Sequence, residues 1–135
     1  MHPEGIGQSV LRREDGRLLE GRGQYVADLF LEGMLHCAFV RSPHAHARIR
    51  AVDTAAARRA PGCVAVLTGM DMKADAVGKM TPLWLIPGAD NTRLIEPPRW
   101  SMAQDRVRHV GEIVAVVIAQ TLHEALDAAE AVEVD

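Results

Sequence analysis

Cysteine is scarce in this chain: Cys37 and Cys63 are the only two. Two thiols are too few for an iron–sulfur cluster or a four-cysteine zinc site, and without a secretory segment they are expected to be reduced. Aromatic residues make up only 4%, so a core must be built from Val, Ile, Leu, Ala and Met, and no base-stacking platform is available. A basic excess is missing as well: 15 Lys and Arg face 18 Asp and Glu, for a net charge of −3, which removes the usual electrostatic footprint for nucleic acid. No apolar run reaches the roughly 18 residues of a membrane span. The start, MHPEGIGQSVLRRE, has no apolar h-region, so a cytoplasmic location is expected. What is present is ordinary for one globular domain: 135 residues, 48% hydrophobic and 24% charged. That length buries about two-thirds of the unfolded surface, enough for a core without staples.

Residues 1–23 are polar and punctuated by Gly5, Gly7, Gly16, Gly21 and Gly23, which reads as an extended arm without a firm helix. The body is expected over 24–135. Gln24–Leu31 (QYVADLFL) and Leu35–Val40 (LHCAFV) suit two strands, with Gly33 between them as a hairpin signal. The second is apolar on both faces, as for a strand covered on both sides, with Cys37 as a small core residue. Ser42-Pro43 then bends the chain, because proline lacks the N–H that a central strand needs. Ala45, Ala47 and Ile49 alternate with His44, His46, Arg48 and Arg50, the period of a half-buried strand. Asp53 or Thr54 can cap a short helix through Ala55–Ala57 that Pro61-Gly62 stops. Val64–Thr68 is a strand that Gly69 ends.

The stretch 70–105 is the least regular, holding four of the six Met residues, both Trp residues and Pro82, Pro87, Pro97 and Pro98. A connection this long is unusual inside a compact domain unless it is functional or docked. Arg106–Val110 resumes strand character, Gly111-Glu112 is a turn, and Ile113–Ala119 (IVAVVIA) is a continuous apolar, central strand. Thr121-Leu-His-Glu124 is a capping box opening a helix whose expected buried stripe is Leu122, Ala125, Leu126 and Ala129. Val132–Asp135 alternates like a strand. The pattern is α+β, two helices on a mixed sheet.

Chemistry-bearing groups are sparse. His44 and His46 share one face of a strand, but zinc wants three or four ligands, so a polar outer face is the plainer reading. Gly21-Arg22-Gly23 lacks the third glycine and the helix of a dinucleotide loop. Glu124, Asp127 and Glu130 form an acidic helix face without the cleft a catalytic carboxylate pair needs. Ser42 with His44 lacks a third group and an oxyanion hole. The residues alone describe an α+β domain with no self-sufficient active site.

The order and spacing of RSPHAHARI, PG-V-AVLTG-D, VGE and AEAVEVD are more specific. Together with LRREDGRLLEGRGQYVADLFLEGMLHCAFV upstream, they resemble the N-terminal domain of the large subunit of xanthine dehydrogenase, aldehyde oxidase and aerobic carbon monoxide dehydrogenase. The resemblance covers all but about residues 73–103. It implies the α/β-hammerhead fold. For the complete enzyme it implies oxidative hydroxylation with oxygen from water. Electrons would leave a molybdenum–pterin centre through two [2Fe–2S] clusters to FAD. The family's cofactor-binding segments and catalytic glutamate match no position here, and Glu112 of VGE is not that glutamate. Ile113 stands where proline is usual, His109 where an aromatic is usual and Cys37 where alanine is common.

The resemblance therefore implies a domain with no catalytic, cofactor or metal residues of its own, inactive by itself. Its expected partners are the remaining molybdopterin domains, an iron–sulfur subunit and an FAD subunit. Ser42, Pro43, His44, His46, Arg48, Gly111 and Glu112 are the residues expected at an interface. The alternative is a free-standing, non-catalytic interaction module that keeps the hammerhead fold. A self-contained metalloenzyme built on His44 and His46 is the third reading.

Overall fold

The computed structural model describes Gly7, 12–84, 86–93 and 95–135. The chain divides into two units, Met1–Met34 and Leu35–Asp135.

In the first unit, a short helix α1 spans Asp15–Leu19, where the glycine-rich composition suggested none. Its Leu18 methyl group lies against Gly23, so an added Cβ there would have to displace that side chain. The segment 24–31, expected to be a strand, instead curls into a 3₁₀ turn at Val26–Asp28. The cause is local: the Asp28 carboxylate accepts the Tyr25 N–H at 2.9 Å, and a side chain that captures a nearby backbone donor competes with extended pairing. Gly33, at φ +76°, is therefore a turn before the next strand and not the tip of a hairpin.

The second unit is built on a three-stranded antiparallel sheet in the order β1 (His36–Arg41), β6 (Ile113–Ala119), β4 (Cys63–Thr68). The apolar run 113–119 is central, as its composition required. Two small antiparallel pairs flank it. β2 (Ala47–Arg48) pairs with β5 (Arg106–Val107), and β3 (Val52–Asp53) pairs with β7 (Glu133–Val134). The α+β class holds. The expected helices are α2 (Ala55–Arg58), whose first turn gives an N–H to Asp53 Oδ1 at 2.8 Å, and α4 (Leu122–Glu130).

A further helix, α3 (Gly69–Ala74), follows β4 directly. Gly69 follows the last strand residue, Thr68, as expected, and also opens this unexpected helix. The Asp71 carboxylate accepts from the Thr68 hydroxyl at 2.7 Å and from the Thr68 N–H at 2.6 Å. These bonds, with the hydroxyl foremost, hold the Asp71 carboxyl below its ordinary value of 3.8.

Strand register assigns the two faces of the sheet. Ala38, Val40, Ala115, Val117, Ala119 and Val66 share the face under α2 and α4, and with Ala57, Ala125, Ala128 and Val132 they form the core clusters. Small residues on both sides let α4 approach closely. Consequently the buried stripe of α4 is Ala125 and Ala128, while Leu122 and Leu126, expected inside, are 49% and 48% exposed. Cys37 lies on the other face, opposite Ile118. It is exposed rather than a core residue, and among the described residues of this unit the helices cover β1 on one side only. Cys63 sits opposite Ala119, two strands away and on the helix side. Spacing of about 9–10 Å across β6 and opposite facing preclude a disulfide.

Candidate functional site

The bend after β1 is held by two backbone hydrogen bonds that tie it to the turn before β6. Ser42 N–H donates to the Glu112 carbonyl at 3.0 Å, and Gly111 N–H donates to the Ser42 carbonyl at 2.8 Å. Arg41 Nη1 adds a bond to the Gly111 carbonyl at 2.9 Å. Gly111 adopts φ +85°, a conformation only glycine takes without strain. The Ser42 hydroxyl accepts the His44 N–H at 3.0 Å, so it serves the turn around Pro43 and is not poised as a nucleophile. Ser42 and Glu112 are the two buried polar residues of the described chain.

Glu112 is committed to its own turn. Its Oε2 accepts the Arg108 N–H, and His109 Nδ1 lies 3.7 Å away. A buried carboxylate that closes a backbone donor in this way is structural. Its placement agrees with the role at the turn before a central strand.

Beside this knot lies a cavity of about 580 Å³. Ile49, Val107, Val114 and Val134 give it an apolar floor, and Arg41, Arg48 and Arg50 give it a cationic rim beside His44. Arg50 faces Asp135 at 3.7 Å. Of the residues expected at an interface, Pro43, His44 and Arg48 stand on the cavity wall with Ser42. Gly111 and Glu112 support that wall from behind through the Ser42 bonds. His46 is exposed and does not line the cavity. The sequence reading did not name Arg41 and Arg50 as interface residues, although Arg50 shares the spacing of His44 and Arg48; the Arg50 N–H also donates to the Asp135 carbonyl at 2.7 Å.

Among the described residues, no three His, Cys, Asp or Glu side chains come together. Neither α3 nor α4 is preceded by a glycine-rich phosphate loop of the kind that cradles a dinucleotide.

The fold class is that of an α/β hammerhead. Residues 20–135 match the family described as aldehyde oxidase and xanthine dehydrogenase, a/b hammerhead domain, and the chain belongs to that family. It is 41% identical over 127 residues to the nicotine 6-hydroxylase large subunit of Paenarthrobacter nicotinovorans, covering 94% of this chain and 15% of that one. It is 40% identical to the carbon monoxide dehydrogenase large chain of Afipia carboxidovorans, covering 98% and 15%. Among solved structures, quinoline 2-oxidoreductase from Pseudomonas putida 86 superposes with a TM-score of 0.83 at 44% identity, covering 96% of this chain and 16% of that one. The chain thus spans about 15% of the length of the relatives it matches. No helix among the described residues is long and apolar enough to cross a membrane.

Proposed function

We propose that this chain is the hammerhead portion of a molybdenum-dependent hydroxylase large subunit of the xanthine dehydrogenase and aldehyde oxidase type. Residues 1–23 serve as an arm and 24–135 as the body. Its work is to build and brace the molybdopterin subunit, in the cytoplasm, without catalytic residues of its own. The observation that carries this reading is the family match over 20–135, together with about 40% identity to large chains of which it spans about 15%. The relatives include a Cu,Mo-containing carbon monoxide dehydrogenase and proteins described as large, gamma or D subunits, which supports an assembly of several subunits.

In that assembly, molybdopterin–molybdenum, [2Fe–2S] clusters and FAD reside on other domains or subunits. Ser42, Pro43, His44, His46 and Arg48 form the contact surface, braced by Gly111 and Glu112. The cationic rim of the cavity suits a neighbouring carboxylate.

Native pull-down from the source cell, with mass spectrometry and molybdenum analysis of the eluate, tests the proposal. The expected result is molybdenum together with either peptides continuing past Asp135 or a separate molybdopterin polypeptide. Elution of the 135-residue chain alone and metal-free would instead support the interaction module.

A further inference from the structure

The two edges of the central sheet are treated differently. On the β4 edge, Arg58 Nη2 donates to the Val66 carbonyl at 2.6 Å, and α2 packs beside it. A side chain and a helix thus blunt that edge, as edges usually are. On the β1 edge, His36–Arg41 makes no backbone hydrogen bond to any described residue outside the pairing with β6.

Both flanks of this open edge are largely apolar, with the Arg41 guanidinium carbon 5.4 Å from the Phe39 ring centroid on one of them. On one face, register places Cys37 and Phe39 beside Ile118 and Val116, followed by Ala65 and Leu67 of β4. None of these six belongs to a buried cluster of the described residues, and Phe39 is 48% exposed. On the other face, α4 supplies a second wall. With about 3.6 residues per turn, its circumference runs Ala128, Ala125, Ala129, Leu122, Leu126. Ala128 packs toward Ala57 and Val66, and Ala125 toward Ala38 of β1. The same rotation carries Leu122 and Leu126 past β1 to its outer side, where both are half exposed.

We infer that the β1 edge is a docking slot for one extended strand, apolar on both of its faces, donated by another part of the large-subunit assembly. The inference rests on the proposed function. An added strand gains backbone hydrogen bonds from β1, and alternate side chains meet Phe39 on one side and Leu122 and Leu126 on the other. A strand apolar on both faces is what a fully covered sheet position demands. The relatives are several times longer than this chain, of which it spans about 15%, so the family's large subunit has ample chain to supply it. A second copy is a poorer occupant: antiparallel pairing of all six β1 residues sets each Arg41 opposite His36, with no carboxylate across the pair to answer the arginine.

Cys37 lies on the slot and Cys63 on the opposite, helix-covered face, so the two thiols are a probe and its internal control. The native assembly and the 135-residue chain are labelled in parallel with N-ethylmaleimide and compared by peptide mass spectrometry. Labelling of Cys37 is expected to fall roughly tenfold in the assembly while Cys63 changes by less than about twofold. Phe39→Glu is expected to restore Cys37 labelling in the assembly and, where the molybdopterin polypeptide is a separate chain, to abolish co-elution, while leaving the circular dichroism of the chain unchanged.

Equal Cys37 labelling in a chain that does co-elute overturns the slot and leaves the proposed function standing. So does wild-type co-elution of Phe39→Glu with a separate molybdopterin polypeptide or, in a chain that continues past Asp135, Cys37 protection that Phe39→Glu leaves unchanged. A slow Cys37 in an isolated chain that elutes as a dimer assigns the slot to a second copy and overturns the inference. Absence of any molybdopterin polypeptide removes both readings.

Discussion

Replacing Glu112 by alanine tests whether the VGE turn is held by its carboxylate. Glu112 is 9% exposed and its Oε2 is the acceptor for the Arg108 N–H. Removing it strands that donor in a partly buried position, at about 1–3 kcal/mol. The neighbouring His109 is 68% exposed, so the ion pair adds little, within about 0–1 kcal/mol. An unfolding entropy of about 2.1 cal/mol/K per residue makes 1 kcal/mol worth about 3–4 °C for a chain of this length. Glu112→Ala should therefore lower Tm by about 4–10 °C in calorimetry at neutral pH. Glu112→Gln keeps a carbonyl acceptor and should lose less than half as much. Melting of Glu112→Ala within about 1 °C of wild type, or equal losses in both variants, would refute the assignment.

Gly69→Ala should cost about 1–3 kcal/mol in urea unfolding, because the new Cβ would lie 2.6 Å from the Ala103 carbonyl carbon and backbone cannot swing aside; a neutral result would mean the α3 start relaxes freely. Asp71 has a folded pKa below 3.8, so its contribution is fully present above that value and is lost as the pH falls through the folded one. The stability gap between wild type and Asp71→Asn should accordingly narrow under acid, and a gap of constant size would contradict this. Thr121→Ala removes the hydroxyl that accepts Glu124 N–H at 3.2 Å and should cost about 1 kcal/mol, read as helix loss before global melting or a lower Tm. Zinc should leave Tm unchanged, since His44 and His46 gain no third ligand among the described residues; a metal-dependent rise would revive the two-histidine site.

The motifs whose signals are local were legible. The Thr121–Glu124 box, the Pro61-Gly62 stop and the apolar run 113–119 carry their own hydrogen bonds or burial demand, and each stands where its residues indicated. The Thr68–Asp71 box was equally local, yet Gly69 was read as punctuation and α3 was missed. For the candidate site, Ser42, Pro43, His44 and Arg48 were recognisable on one strand and its bend. Arg41 and Arg50 flank that segment, and Arg50 shares the spacing of His44 and Arg48, but only the fold shows that both line the same cavity.

Sequence by itself determined the α+β class, the central strand, the starts of α2 and α4 and, through the order of its motifs, the hammerhead family. Tertiary structure decided which side of each element is buried. Helical spacing suited a stripe through Leu122 and Leu126, but α4 meets Ala38, Ala115 and Ala119, and only its alanines allow that close approach. The apolar strand LHCAFV suited burial on both faces, but helices cover one. The reason is the same in both cases: periodicity fixes which residues share a face, whereas only packing against distant residues selects the face that is covered.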